Sequence, residues 1–222
     1  MKIVCVRIGD RYGPEYESYL ESKLPEYEFI WIREPIQNNI QLQWNKIYGM
    51  TLDIDEPICV MDIDILLLND YKKIFEYPVE KGQFLTIKSW WKDTQYSRFT
   101  INGGFYKYYP TDCKYIYDKF MEHPEYWQRK YIEEKYTTGP VNGEQHFIED
   151  SVNEKLELTY LPSSWVCRMK EDGLKRLNRK YKDATGNSFM FLGEEFHPDI
   201  KFVHFTHAQN LPHLWDKYDL FV

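Results

Sequence analysis

Apolar residues in this chain fall into short runs and spaced stripes, and their alternation outlines the elements. Residues 2–8, 27–32 and 57–61 are apolar runs of strand length. Between them, residues 14–23 read as a helix opened by Pro14, whose fixed φ suits a first turn. Residues 40–52 read as a second helix, with Ile40, Leu42, Trp44, Ile47 and Tyr48 as its apolar positions. The run Ile58-Cys59-Val60-Met61 is continuous rather than alternating, the pattern of a strand buried on both faces. Strand, helix, strand, helix, strand with short connections predicts an α/β fold with a mostly parallel central sheet flanked by helices, and ligands at the carboxyl ends of its strands.

Beyond Asp70 the order loosens. Residues 83–88 and 100–108 read as strands on either side of Trp90-Trp91. Helices are expected over 112–121, 124–135 and 143–153, then a strand over 156–161. The stretch 170–187 is polar and charged and reads as a loop; 201–206 is a final strand and 212–218 a short helix. No linker or low-complexity tract divides residues 1–222, so a single domain is expected.

Composition sharpens this only in places. Aromatic residues make up 18% of the chain, and 19 of them are tyrosines. Tyr and Trp join a flat apolar face to a polar edge, which suits stacking on bases or sugar rings, although most such side chains fill cores. The net charge is −7 with both signs interleaved, which disfavours a nucleic-acid binder. A negative protein that handles a diphosphate needs local positive charge, and a bound cation supplies it. No apolar run approaches the roughly 20 residues of a membrane span, and the early charges of Lys2 and Arg7 do not suit a signal peptide. Cys5, Cys59, Cys113 and Cys167 form no C-x-x-C pair, and free buried thiols in a reducing, cytoplasmic setting are expected.

The sharpest local signal is Met61-Asp62-Ile63-Asp64, where an apolar strand delivers two carboxylates to its carboxyl end. In an extended strand, positions i and i+2 share a face, so both could reach one hard cation. Two carboxylates held together without a cation would push one pKa upward. A bare D-x-D is common. Asp53-Ile54-Asp55 is a second copy, but it lies in a loop-like stretch before Pro57 and reads as solvated.

From Trp44 to Phe75 the sequence resembles the D-x-D region of GT-A fold glycosyltransferases, and is most similar to the glycogenin-like family, glycosyltransferase family 8. Further stretches match in order: Ile101-Asn102-Gly103-Gly104-Phe105, Gly143-Glu144-Gln145-His146 and Phe202-Val203-His204-Phe205-Thr206. The resemblance implies a GT-A fold, a nucleotide-sugar donor (a UDP-sugar favoured), a carbohydrate acceptor and Mn²⁺ or Mg²⁺ held by Asp62, Asp64 and His204, with His207 a rival for the last place. It implies that Lys46 and Asp62 contact the nucleotide, that Asn102, Gly103 and Gly104 lie at the donor sugar, and that Gln145 and Glu144, which stands where the family has Asp, lie beside the reacting carbon. Residues 1–110 would then serve nucleotide, sugar and metal, and 111–222 the acceptor.

In GT-A folds the loop after the first strand holds the base, which makes Tyr12 a candidate platform and Arg7 a candidate base or phosphate contact. The lysine that the family places after its C-terminal histidine is missing; Arg98, Arg168 and Lys170 are candidates to replace it. Family 8 enzymes retain anomeric configuration; an inverting one would need a carboxylate base, for which Glu144 and Asp150 are candidates. Trp90, Trp91, Tyr96 and Trp127 are candidates for an acceptor platform. Three rival readings are a dehalogenase-type phosphohydrolase, a sugar-phosphate nucleotidyltransferase and a catalytically silent carbohydrate- or nucleotide-binding domain. The first expects Thr or Val where Leu66 stands, and the second a Gly-rich basic loop that residues 9–14 do not form.

Overall fold

In the computed structural model of the protein, residues 1–89, 98–137, 143–169, 180–183, 188–190 and 199–205 are described. The first half alternates strand and helix as far as β3 and then places strands in succession: β1 (Lys2–Val6), α1 (Glu15–Lys23), β2 (Glu28–Ile32), a 3-10 helix (Leu42–Thr51), β3 (Ile58–Met61), β4 (Ile65–Leu67), α2 (Lys72–Glu76), β5 (Gln83–Lys88) and β6 (Ile101–Tyr108). There follow α3 (Pro110–Glu122), α4 (Pro124–Glu133), α5 (Gly143–Lys155), β7 (Glu157–Tyr160), β8 (Val166–Met169), β9 (Lys180–Asp183), β10 (Ser188–Met190) and β11 (Phe202–Phe205). Both α3 and α4 open with proline, where the missing N–H costs nothing.

Two sheets form. The larger has the order β2-β1-β3-β6-β5-β7, and within it β6 runs against the other strands. The smaller has the order β10-β9-β8-β11-β4, with only β8 and β11 parallel. The expected parallel sheet is therefore present, with one reversed strand and a second sheet that the sequence did not indicate. β9 and β10 interrupt a stretch read as loop and the residues just after it. β4 and α2 were also missed, because three and five residues are too few to carry a period.

Strand alternation sorts the side chains of the larger sheet into two cores. Ile3, Cys5, Cys59 and Met61 face α1, α2, β4 and β11, whereas Val4, Ile58 and Val60 face the 3-10 helix, α3, α4 and α5. This is why the Ile58–Met61 run shows no polar position: both sides of β3 are covered. Cys5, Cys59 and Cys113 are buried free thiols, as expected.

The segment read as a helix over 40–52 is a helix of the 3-10 form over Leu42–Thr51. Its buried Trp44, Ile47 and Met50 recur every third residue, the 3-10 repeat, so that spacing puts them on one face. Buried Asn45 takes up nearby backbone groups, donating to the carbonyls of Ile40 and Leu42 and accepting from Ile36 N–H at 2.8 Å. The backbone of Gly49 passes so close to β3 and β6 that a Cβ there would stand 2.7 Å from Tyr108 Oη. This packing fixes the direction of Lys46.

Candidate active site

The parallel strands β1 and β3 end at the same edge of the larger sheet, and reversed β6 begins there. Three chain segments therefore meet: the loop after β1, the link from β3 to β4, and Asn102-Gly103-Gly104. The β3–β4 link is Asp62-Ile63-Asp64, where the chain leaves one sheet for the other. Asp62 N–H donates to Gly104 O at 3.0 Å, and Phe205 N–H donates to Asp64 O at 2.9 Å. Pairing of His204 with Ile65 brings its imidazole to the same link. The carboxylates converge through a bend at residues 63–64 and not through an extended strand, as the sequence had suggested.

His204 Nε2 lies 3.1 Å from Asp62 Oδ2 and 3.3 Å from Asp64 Oδ1. One donor atom from each of Asp62, Asp64 and His204 falls within 4.8 Å of the others. Two carboxylates and an imidazole are a donor set suited to Mn²⁺ or Mg²⁺, and their convergence fits one divalent cation. Burial drives the His204 pKa down, but the two carboxylates outweigh it and carry it to about 9. Burial pushes the Asp62 carboxyl up, yet the Lys46 ammonium and the His204 hydrogen bond hold it below the usual carboxylate range.

Lys46, only 3% exposed, bridges two of the segments: its Nζ lies 2.6 Å from Asp62 Oδ1 and donates to Gly103 O at 2.6 Å. The glycine pair explains how backbone becomes available here. The register between β5 and β6 jumps from Thr86↔Tyr106 to Ile87↔Asn102, so the intervening residues leave the ladder. The Thr86 hydroxyl reaches the carbonyls of Asn102 and Phe105, and Gly103 is left to bond Lys46 through its carbonyl and Gln145 Oε1 through its N–H at 2.9 Å. A Cβ on Gly104 would stand 2.7 Å from Asn102 Oδ1 and 3.6 Å from Asp62 Oδ2. Only glycine permits that approach without displacement. Asn102 accepts from Gly104 N–H at 2.6 Å, while its buried Nδ2 has no hydrogen-bond partner among the described residues.

Glu144 and Gln145 stand on the first turn of α5. Glu144 is 3% exposed; its Oε2 accepts from Tyr106 Oη at 3.4 Å, and its Oε1 has no hydrogen-bond partner among the described residues. Burial, opposed by Lys46 and reinforced by Asp62, pushes this carboxyl up to about 7.

These groups border a cavity of about 700 Å³. Tyr12, Lys46, Asp62, Asp64, Asn102, Gly103, Gly104, Glu144, Gln145 and His204, all expected from sequence, line it; Arg7 and Asp150 do not. The Arg7 guanidinium is bound to Glu17 and reaches Tyr12 O, so it braces the loop. Asp150 accepts from Arg98 and from Tyr131 Oη, each at 3.0 Å. Arg98 also lies over Phe99 and Tyr136 and is absent from the lining. Trp127 packs on Phe147 and donates to Lys119 O, a structural position away from the cavity. Asp55 pairs with exposed Lys81, in keeping with a solvated second D-x-D. Trp90, Trp91, Tyr96, Lys170, His207 and the Arg168 side chain lie outside the described residues. The sequence reading missed Arg11, Gln43, Tyr136 and His146 in the lining; Arg11 adjoins Tyr12 and His146 adjoins Gln145, so adjacency was the available signal.

No family model and no curated protein sequence matches the chain. Solved structures do. The galactosyltransferase LgtC, in complex with donor and acceptor sugar analogues, aligns over 98% of this chain and 95% of its own at 11% identity, with a TM-score of 0.58. Mouse xyloside xylosyltransferase 1 aligns over 91% and 96% at 10% identity, with a TM-score of 0.50. An active-site mutant of LgtC gives 0.53 over 93% and 87% at 11% identity. The chain has the GT-A fold of glycosyltransferases. Among the described residues, no helix is long and apolar enough to cross a membrane.

Proposed function

We propose that the chain is a metal-dependent glycosyltransferase that moves a sugar, a hexose by preference, from a UDP-sugar to a hydroxyl of a carbohydrate acceptor. One observation carries the reading: Asp62, Asp64 and His204 converge at the wall of a cavity that Asn102 and Gln145 also line. The sequence motifs favour family 8 within the GT-A fold, and LgtC, crystallised with donor and acceptor sugar analogues, is a galactosyltransferase.

Asp62, Asp64 and His204 would hold the cation, which when bound acts as a Lewis acid towards the leaving diphosphate. Lys46 keeps Asp62 ionised and fixed. Gln145, held by the Gly103 N–H, and Asn102, whose Nδ2 is a buried donor, would orient the donor sugar. Glu144, with a pKa near neutrality, can hold or release a proton beside the same strand.

The test is nucleotide release from a panel of nucleoside-diphosphate sugars with Mn²⁺. UDP release from one UDP-sugar is expected, abolished by EDTA and reduced roughly 100-fold or more by Asp64→Asn. Undiminished turnover by Asp64→Asn would refute the assignment.

A further inference from the structure

Tyr12 sits in the loop between β1 and α1, fifty-two positions before Asp64, yet its hydroxyl donates to Asp64 Oδ2 at 2.8 Å. The ring is held from two sides: Tyr16 packs edge-on at 5.0 Å and 90°, and the Arg11 guanidinium lies 5.4 Å from its centroid. The two oxygens of Asp64 are thereby divided. Oδ2 is taken by Tyr12, and Oδ1 faces His204 Nε2.

From this division we infer that Tyr12 is a positioning residue for the cation site, fixing the rotamer of Asp64 so that one oxygen is presented to the cluster. The inference rests on reading Asp62, Asp64 and His204 as a cation site. A carboxylate without such a partner rotates about its terminal torsion, and ordering it on binding costs affinity. Partners behind ligating side chains commonly account for about 10–100-fold in metal affinity. The role differs from base stacking, which needs the ring and not the hydroxyl, so one substitution separates the two.

Tyr12→Phe keeps the ring and deletes the donor. Free Mn²⁺ is followed by its electron paramagnetic resonance signal during titration of wild type and variant, without nucleotide or sugar. The expected result is Mn²⁺ affinity about 10–100-fold weaker in Tyr12→Phe, with an altered spectrum for the bound ion and an unchanged melt in EDTA. Tyr12→Met, which fills similar space without a donor, gives the same readout should the phenylalanine variant fail to fold. A variant Kd within about twofold of wild type, taken against that 10–100-fold expectation, overturns the Tyr12 assignment and leaves the cation site standing. Absence of Mn²⁺ binding by the wild type overturns both.

Discussion

Single residues in this site are legible mainly through their charge environment. Lys46 is buried, and burial acts to lower its pKa, but Asp62 and Glu144 more than compensate and raise it. Removing such an ion from water costs several kcal/mol, so its partners must be held in place. Glu144 forms no ion pair among the described residues, and burial drives its carboxyl from the ordinary 4.5 to about 7 against the pull of Lys46. Because the folded-state value is the higher one, the neutral carboxyl's contribution to stability is fully present below pH 4.5. It is lost as the pH rises through 7. At pH 8 the carboxylate costs on the order of 3 kcal/mol. Glu144→Gln should therefore melt higher than wild type at pH 8 in EDTA, by roughly 5 °C or more, with the gap closing near pH 4. Calorimetry at the two pH values checks it; an equal gap at both would contradict the assigned environment. The residue types were visible in the sequence. The environments that set their protonation were not, because Lys46, Asp62 and Glu144 come from three separate segments.

At the scale of elements, the site depends on how β6 is tied to α5. Buried Glu149 accepts from the backbone N–H of Thr100 and of Ile101 and from the Thr100 hydroxyl, clamping the strand just before Asn102 to the helix that bears Glu144 and Gln145. Glu149→Ala would leave these donors without their buried acceptor and is expected to cost roughly 3 kcal/mol. Urea denaturation should show a lower midpoint with an unchanged slope, and a midpoint equal to wild type would show that the clamp is dispensable. Glu149 was not legible as a site support, since a Glu in a helix is ordinarily a solvated residue. The 3-10 form of the helix over Leu42–Thr51 was not legible for a related reason: its apolar positions at 44, 47 and 48 also satisfy an α-helical stripe, and only the packing of Trp44, Ile47 and Met50 against β1, β3 and α3 selects the tighter form.

Across the whole molecule, the cluster joins the beginning and the end of the fold. Asp62 and Asp64 lie where the chain passes from the larger sheet to the smaller, and His204 arrives on β11, whose pairing with β4 closes the smaller sheet. A ligand that bridges these parts should stabilise them together. With Mn²⁺ and UDP at about 100 times their Kd, linkage gives about 2.7 kcal/mol, or a rise in Tm of roughly 5–10 °C for a chain of this size. The rise should exceed that from Mn²⁺ alone, and UDP in EDTA should produce little. Differential scanning fluorimetry over the four conditions checks this; no increment from UDP over Mn²⁺ alone would count against nucleotide binding beside the cluster.

The sequence by itself determined β1, β2, β3, β5 and β6, the α/β class, the two-sided burial of β3 and the residue types of the site, because each rests on local period or on a short motif along one segment. The tertiary structure decided the second sheet, the bend that brings Asp62 and Asp64 together, the bulged glycine strand bonded to Lys46 and Gln145, and the withdrawal of Arg7 and Asp150 from the cavity. Those features arise from contacts between segments up to 142 residues apart. No local pattern encodes such contacts, since their energy depends on which surfaces the folded sheets bring face to face.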